Sequence, residues 1–195
     1  PYNHGYTRST SALPPSAPVK QRRAFGQERG DALAGVGAGE HLGEGTLLGL
    51  DPLVDKFRTL GIDEGLMRYI EARSEEMPFP DESCATVSSL NSLDHVEDVE
   101  RTIAEMVRVL RVNGSLLLLV EVNHAPMVTE PASLPWDVPS WFGPSMRTVF
   151  ERRYESSGAD WFYRTVVTDK RWDDNRTDTR PGVLVARLEK TRSEA

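Results

Sequence analysis

The chain has 195 residues, enough for one domain with a core of ordinary size and too few for two large ones. Its 30 acidic residues outnumber the 23 basic ones, and the net charge of -7 would repel a phosphate backbone, so we expect no nucleic-acid partner. The longest strongly apolar run, residues 116–120, is far shorter than the roughly 20 residues of a membrane-spanning helix, and no signal pattern opens the chain, so the sequence predicts a soluble, cytoplasmic protein without a membrane partner.

Residues 1–30 differ in composition from the rest of the chain. They contain four prolines and five basic residues but one acid, without a period of 2 or 3.6, which predicts an irregular or mobile arm. The leading Pro1 suggests that the natural start lies upstream. We expect residues 31–195 to form a single domain, in which the lone Cys84 is a small buried apolar side chain in a reducing compartment.

Strand and helix patterns alternate from Thr46 onward. The run "TLLGL" predicts a strand, and Asp51-Pro52 is a typical helix start, with the acid as N-cap and the proline in the first turn of a helix reaching about Leu60. The runs "LMRYIEA" and "ATVSSL" predict two further strands.

Residues 96–110 predict an amphipathic helix. Its apolar side chains fall on one face of a 3.6-residue period, at Val99, Ile103, Met106, Val107 and Leu110. The opposite face is charged and is expected to be solvated; it carries Glu100, Arg101, Glu105 and Arg108.

The segment after that helix predicts a buried strand. Asn113-Gly114 supplies a left-handed turn, and "SLLLLVEV" places apolar residues on both sides of its pleat, as in a strand covered on both faces. Alternating strands and helices predict an α/β fold, a Rossmann-like, doubly wound, mostly parallel sheet between two helical layers. The runs "MRTVFERRY", "WFYRTVV" and "GVLVARLE" then predict an antiparallel pair at one sheet edge.

The stretch from Tyr69 to Val122 resembles the middle of class I S-adenosylmethionine-dependent methyltransferases, in the branch that modifies small molecules and some proteins. "MPFPDES" is similar to that family's linker before the fourth strand, "LDHVEDVERTIAEMVRVL" to the helix after it, and "RVLRVNGSLLLL" to its Arg-Val-Leu-Arg-Pro-Gly-Gly turn. The resemblance covers roughly residues 47–122. It implies S-adenosylmethionine as the cofactor, bound at the carboxyl ends of the strands.

At the first two strand ends, the resemblance implies two parts of the cofactor site. The glycines of "GVGAGE", Gly35, Gly37 and Gly39, would let backbone approach the methionine part, unless they form a plain flexible loop. Asp51, followed by Pro52, would hydrogen-bond the two ribose hydroxyls, because one carboxylate can accept from both. Asp51 could also serve only as the helix cap.

At the third strand end, the resemblance places Arg73, Ser74 and Glu75 in the adenine-recognition segment. Arg73 stands where that family often has an acid, so backbone groups of Arg73 and Ser74 would replace it. The other interpretation of Glu75 is an ordinary solvated charge.

After the fourth and fifth strands, the resemblance predicts where cofactor and acceptor meet. Asn91 would contact the cofactor, and Asp94, Asn123 and His124 would line the acceptor pocket. His95 has the pKa range of a base for a hydroxyl or amine acceptor, although it could simply help to start the next helix. Asn123 and His124 could likewise face water, and no metal site is predicted.

Three functions remain open from the sequence. The first is methyl transfer to a small-molecule O, N or C acceptor. The second is a methyltransferase-like binding or regulatory module without cofactor affinity, because the second strand leaves only six of the eleven residues between Gly39 and Asp51 for a crossover helix. The third is a nicotinamide-cofactor enzyme, since a glycine-rich turn and a strand-end acid also suit a dinucleotide.

Overall fold

The structure, a computed structural model, describes residues 34–38, of which only the backbone is considered, and residues 46–60, 68–156, 165–166, 169–174 and 180–192. The predicted arm of residues 1–30 lies outside this part of the chain. In order, the elements are β1 Ala34–Ala38, β2 Thr46–Leu50, α1 Val54–Thr59, β3 Arg68–Ile70, β4 Cys84–Leu90, α2 Val99–Val109, β5 Leu110–Val122, a 3-10 helix Val138–Phe142, β6 Met146–Glu155 and β7 Gly182–Lys190.

The seven described strands form one mixed sheet in the order β3-β2-β1-β4-β5-β7-β6. The pairs β2–β3 and β4–β5 are parallel, whereas β1 is antiparallel to both of its neighbours and β7 is antiparallel to both β5 and β6. It follows that β2, β3, β4, β5 and β6 run one way, and that β1 and β7 run the other. The predicted α/β, Rossmann-like class with an antiparallel edge pair is confirmed.

The direction of β1 corrects one prediction. The sequence suggested a crossover from the first strand to a parallel second strand, but β1 and β2 are antiparallel, with Ala34 paired to Leu50 and Ala38 to Thr46. Only seven residues, 39–45, connect them, and a parallel connection needs a dozen or more. Such a short connection is compatible with an antiparallel pair, so the cramped interval seen in the sequence corresponds to a reversed strand.

Helix α2 follows the predicted periodicity. Asp98 is its N-cap and accepts the backbone N–H of Arg101, and the buried face includes Ile103, Met106 and Val109. The expectation that its charged face is wholly solvated is wrong at two positions. The Arg108 guanidinium donates to the carbonyls of Met77 and Phe79 and to the carboxylates of Asp81 and Glu105.

Strand β5 begins directly after α2. Asn113 has the predicted left-handed conformation, with φ 63°, but it lies within β5, where residues 111–114 interrupt the pairing register with β4. Gly114 is required there, because a Cβ atom would lie 2.8 Å from the Arg111 carbonyl oxygen and 3.0 Å from that of Ala85. The register of the central strand pair therefore depends on this turn.

The two faces of β5 are not equally covered, contrary to the prediction. Leu116, Leu118 and Val120 are buried, whereas Leu117, which points to the other face, is 39% exposed. A continuous apolar run thus marks one buried and one partly exposed face.

The antiparallel edge pair is β7 with β6, and β7 contributes Leu184 and Leu188 to the core. The predicted strand "WFYRTVV" lies mostly outside the described residues, and its Thr165 and Val166 have helical backbone. Cys84 is buried and free, as predicted. In the described part of the chain, no helix is long and apolar enough to cross a membrane.

Candidate functional site

The carboxyl ends of β2, β4 and β5 lie along one edge of the sheet, because these strands run in the same direction. Asp51, Asn91 and Asn123 are the residues that directly follow these three strands. Asn91 and Asn123 have positive φ values, 54° and 58°, so the chain turns sharply at each position. We call this edge the rim; it is the edge at which open α/β sheets bind ligands.

Asp51 acts as a helix cap at the rim. Its Oδ1 accepts the backbone N–H of Leu53 at 2.7 Å, which orders the turn directly before α1, as in the predicted helix start. Pro52 is exposed in the turn before α1. Among the described residues, no group donates a hydrogen bond to the second carboxylate oxygen, so a role towards a ligand stays open.

The glycines do not form a turn at the rim. Gly35 and Gly37 lie inside β1, where Gly35 pairs with Gly49 and Ser88, and Gly37 pairs with Leu47 and Thr86. Because β1 is reversed, it runs away from the rim, and Gly39 follows it outside the described residues. The predicted turn at the end of the first strand is therefore wrong for Gly35 and Gly37, whereas Gly39 is not tested. The nicotinamide alternative relied on the same turn.

The segment after β3 is tied to the start of α2. The carboxylate of Glu75 accepts the backbone N–H groups of Glu97 at 3.0 Å and Asp98 at 3.4 Å. Arg73 is paired with Glu97 at 2.7 Å, and the buried Ser74 hydroxyl lies 3.2 Å from that of Thr102. Glu75 is thus a structural link rather than a solvated charge.

The pKa of Glu75 reflects this environment. Burial raises it, but the backbone N–H groups of Glu75, Glu97 and Asp98, together with Arg73, outweigh burial and lower the pKa below its ordinary value. The Glu75 carboxylate lies directly before α2, and the N-cap Asp98 accepts an N–H of its first turn, so both places that favour an anion at this helix terminus are already taken by the chain's own carboxylates.

Asn91 has an orphaned polar atom at the rim. Its backbone N–H donates to the Leu119 carbonyl, but its side-chain Oδ1 is buried and has no hydrogen-bond partner among the described residues. A buried acceptor without a donor is costly, by about 1–3 kcal/mol. A ligand with an N–H or O–H group at this position would satisfy it.

Asp94 lies between two histidines. Its side chain is 1% exposed, and its Oδ1 lies 3.8 Å from His95 Nε2 while its Oδ2 lies 3.4 Å from His124 Nε2. Glu130 Oε1 lies 4.0 Å from His95 Nε2. The predicted residues Asp94, His95 and His124 are therefore brought together, with Glu130 added from the segment after β5.

Burial and charge set the protonation of this cluster. Burial raises the pKa of Asp94 above its ordinary value, although His95 and His124 oppose the shift. Burial also raises the pKa of Glu121, aided by Glu130 and Asp94 and opposed by His124.

Sequence reasoning missed Glu130 and Glu121. The segment after β5 folds back over the residues that follow β4, because Ala132 N–H donates to the Asp94 carbonyl and Asn123 N–H to that of Leu134. The sequence signal was the segment "EVNHAPMVTEP", which extends the fifth strand into a loop with polar residues at both of its ends. That run marked a site, but not which of its residues return to Asp94.

Known proteins similar to this chain are described as methyltransferases. Residues 34–118 match the model of a family described as a methyltransferase domain. Over 87 residues the chain is 36% identical to the ubiquinone/menaquinone biosynthesis C-methyltransferase UbiE of Vibrio parahaemolyticus, covering 45% of this chain and 32% of that protein. Over 82 residues it is 41% identical to the enzyme of the same name from Psychromonas ingrahamii, covering 42% and 31%. The matched region spans about a third of the length of these curated relatives.

A solved structure agrees on the fold. A chain from Thermotoga maritima, described as an S-adenosylmethionine-dependent methyltransferase and possible histamine N-methyltransferase, has a TM-score of 0.51 and 12% identity, covering 73% of this chain and 72% of that chain. Identity at this level supports the shared fold alone.

Proposed function

We propose that this chain is a class I S-adenosylmethionine-dependent methyltransferase. Its residues 34–118 match a methyltransferase-domain model, and we propose that the rim binds S-adenosylmethionine and supports methyl transfer to a small-molecule acceptor. The observation that carries the proposal is the convergence of Asp51, Asn91 and the Asp94 cluster on one sheet edge. O, N and C acceptors are all compatible with it, and we keep a cytoplasmic location as part of the proposal.

The rim fits the adenosyl part of the cofactor better than the methionine part. Asp51 keeps one carboxylate oxygen for ribose hydroxyls, and the buried Asn91 Oδ1 lacks a donor. The backbone of residues 73–75 lies at the same edge. The Glu75 carboxylate and the Arg73 guanidinium are already paired with other groups of the chain. Gly37 lies away from the rim, so we do not assign the methionine part to the glycine pattern.

The chain's own groups would mainly orient the reactants. When bound, the cofactor supplies an electrophilic methyl group on a sulfonium, and an in-line displacement needs alignment and exclusion of water. The buried Asp94 carboxylate lies 3.8 Å from the His95 imidazole. The His95 side chain is 34% exposed, so an acceptor could contact it. We propose that His95 takes the proton from a hydroxyl or amine acceptor, and that Asn123 and His124 bound its pocket.

A calorimetric titration with S-adenosylhomocysteine tests the adenosyl site. We expect micromolar binding in the wild type and at least about tenfold weaker binding in Asp51→Asn. Asparagine is as good a helix cap as aspartate, so α1 keeps its start while the carboxylate is lost. Asp55→Asn is the matched control on the exposed side of α1 and should bind like the wild type.

The proposed role of His95 has a separate test. In a radiometric assay against a panel of hydroxyl, amine and activated-carbon acceptors, His95→Ala should lower turnover by about 10²-fold or more while cofactor affinity stays close to wild type. Equal turnover in the variant would remove His95 from the reaction.

The reversed β1 favours a second candidate, a binding or regulatory module that has lost cofactor affinity. The glycine turn is absent from the rim, and Glu75 already occupies the start of α2. No detectable heat with millimolar S-adenosylhomocysteine would favour the module over the enzyme.

A further inference from the structure

Three potential metal-ligand atoms lie together next to the rim. Asp94, His95 and Glu130 each offer one atom, and the three atoms lie within 4.8 Å of one another. The Asp94–His95 and His95–Glu130 separations are 3.8 and 4.0 Å. Around a cation with bonds of about 2.0–2.2 Å, ligand atoms of a tetrahedron lie roughly 3.4 Å apart, so small inward movements would complete the geometry.

The buried carboxylate of Asp94 points into this cluster without a hydrogen bond. Both of its oxygens have almost no exposed surface and no hydrogen-bond partner within the described part of the chain. Leaving such a group unsatisfied costs free energy unless a counter-charge or donor compensates it. This observation is independent of the spacing of the three ligand atoms.

His124 does not supply the missing donor in its neutral form. Its Nδ1 lies 3.0 Å from the Ala125 carbonyl oxygen, which can only accept, so Nδ1 must carry the hydrogen. The neutral ring then presents the Nε2 lone pair to Asp94 Oδ2 at 3.4 Å. Two lone pairs face each other across this gap, an arrangement that a bound cation or an added proton would relieve.

The balance of charge favours a cation. The cluster brings two carboxyl groups, Asp94 and Glu130, next to two imidazoles, His95 and His124, and a third carboxyl group, Glu121, interacts electrostatically with them. In the described segments, no lysine or arginine pairs with Asp94 or Glu130. A divalent ion would supply the positive charge that these side chains lack.

We infer that Asp94, His95 and Glu130 form a binding site for a divalent first-row transition cation, with His124 packed behind Asp94. One imidazole nitrogen and two carboxylate oxygens suit Mn²⁺, Fe²⁺ or Zn²⁺ better than the all-oxygen preference of Mg²⁺ or Ca²⁺. Three protein ligands leave coordination positions open on the partly exposed side, where His95 and Glu130 are 34% and 22% exposed. An acceptor oxygen could bind there and lose its proton more easily.

Cation binding goes beyond the proposed function and changes one element of it. With a cation bound, His95 is a ligand and no longer a free base, so proton removal would occur at the metal-bound acceptor. Ion binding itself does not require methyl transfer or an adenosyl ligand. The adenosyl titration can be run with a chelator present, so the two proposals fail separately.

Titration of the metal-free full chain with Mn²⁺, followed by the loss of the free-ion signal in electron paramagnetic resonance, tests the site. We expect one ion per chain in the micromolar range, competed by Zn²⁺. Asp94→Asn, His95→Gln and Glu130→Gln should each weaken binding by at least about tenfold. Glu76→Gln, with a side chain that is 86% exposed and outside the cluster, is the control and should bind like the wild type.

Folding is checked by thermal melts of every variant. If Asp94→Asn fails to fold, the His95→Gln and Glu130→Gln variants, whose side chains are more exposed, test the site. At Mn²⁺ concentrations near the wild-type dissociation constant, bound Mn²⁺ should also broaden the imidazole resonances of His95 more strongly in the wild type than in Glu130→Gln. Dissociation constants weaker than about 1 mM, or the same affinity in all cluster variants and the control, would overturn the site.

Discussion

The two halves of the sheet differ in how they are packed. Every described residue of the main hydrophobic core cluster lies at position 77 or later, in β4, α2, β5, β6, β7 and the segments before and between them. On the other side, β3 has three residues and α1 has six, and the buried side chains that the structure describes in β2, α1 and β3 are Leu50 and Val54, at the inner ends of β2 and α1. The rim residues Asp51 and Arg73 belong to this second half.

This difference separates the residues that hold the fold from some of the residues that bind. The half containing β5 holds the fold, because its apolar side chains are removed from water. The half containing β2 has little buried apolar surface, as in many ligand-binding regions of low local stability. Changes to buried apolar residues of the first half should alter unfolding, whereas changes at Asp51 and Arg73 should alter ligand binding. Asn91 and Asp94 take part in the proposed binding from within the packed half.

The largest effect should come from a charge in the packed half. Leu118→Asp places a carboxylate where the side chain is 1% exposed. We therefore expect the free energy of unfolding to fall by more than about 4 kcal/mol, which leaves an unfolded or aggregated chain. Leu117→Asp is the matched control one residue away, 39% exposed, and should cost less than about 1 kcal/mol. A soluble Leu118→Asp variant with a cooperative melt would contradict the proposed division.

A smaller effect is expected at the turn that sets the β4–β5 register. Gly114→Ala puts a Cβ 2.8 Å from the Arg111 carbonyl oxygen, a backbone atom that cannot move easily, and should destabilise the chain by about 1–3 kcal/mol in urea titrations. Gly143→Ala is a contrasting case: its Cβ would meet nothing within 4 Å, but φ 81° with ψ 177° is a backbone conformation that residues other than glycine rarely adopt, so its loss of about 1–3 kcal/mol would come from backbone strain alone. A Gly114→Ala variant as stable as the wild type would refute the steric explanation.

The smallest effect concerns the ion pair between Glu105 and Arg108 on α2, inside the packed half. The hydrogen bond from Arg108, opposed by burial, holds the pKa of Glu105 below its ordinary value of 4.5. A carboxyl whose pKa is lower in the folded chain stabilises it above its ordinary pKa, and this contribution is lost as the pH falls through the lowered value. Between pH 7 and pH 3.5, the free energy of unfolding measured in urea titrations should fall by up to about 1 kcal/mol more in the wild type than in Glu105→Gln. Glu100→Gln, exposed on the same helix, should follow the wild type; identical pH profiles for Glu105→Gln and the wild type would exclude this role.

Much of the fold could be predicted because its signals are local. The spacing of Ile103 and Met106 sets the buried face of α2, and Asn113-Gly114 marks the turn before the apolar run. The direction of β1 could not be derived this way. A strand has the same hydrophobic pattern in either direction, so its direction is decided by how it pairs with β2 and β4. The only local indication was the short interval before Asp51.

The site shows the same division. Asp94, His95 and His124 were predicted from their positions at strand ends, and they are close together. Glu130 was not, because it reaches Asp94 only when the chain after β5 folds back. Charges such as Glu75 and Arg108 look solvated in a helical or loop pattern, and their partners 22 to 31 residues away are visible only in three dimensions.

Hydrogen exchange with and without S-adenosylhomocysteine tests the central claim most directly, because it locates the ligand on the sheet. The account predicts added protection at residues 51–53, 72–75 and 91–95, which lie at the rim. It predicts no change at residues 112–115, which lie at the opposite edge. Protection confined to the opposite edge, or no change anywhere at saturating ligand, would contradict a cofactor site formed by the carboxyl ends of β2, β3 and β4.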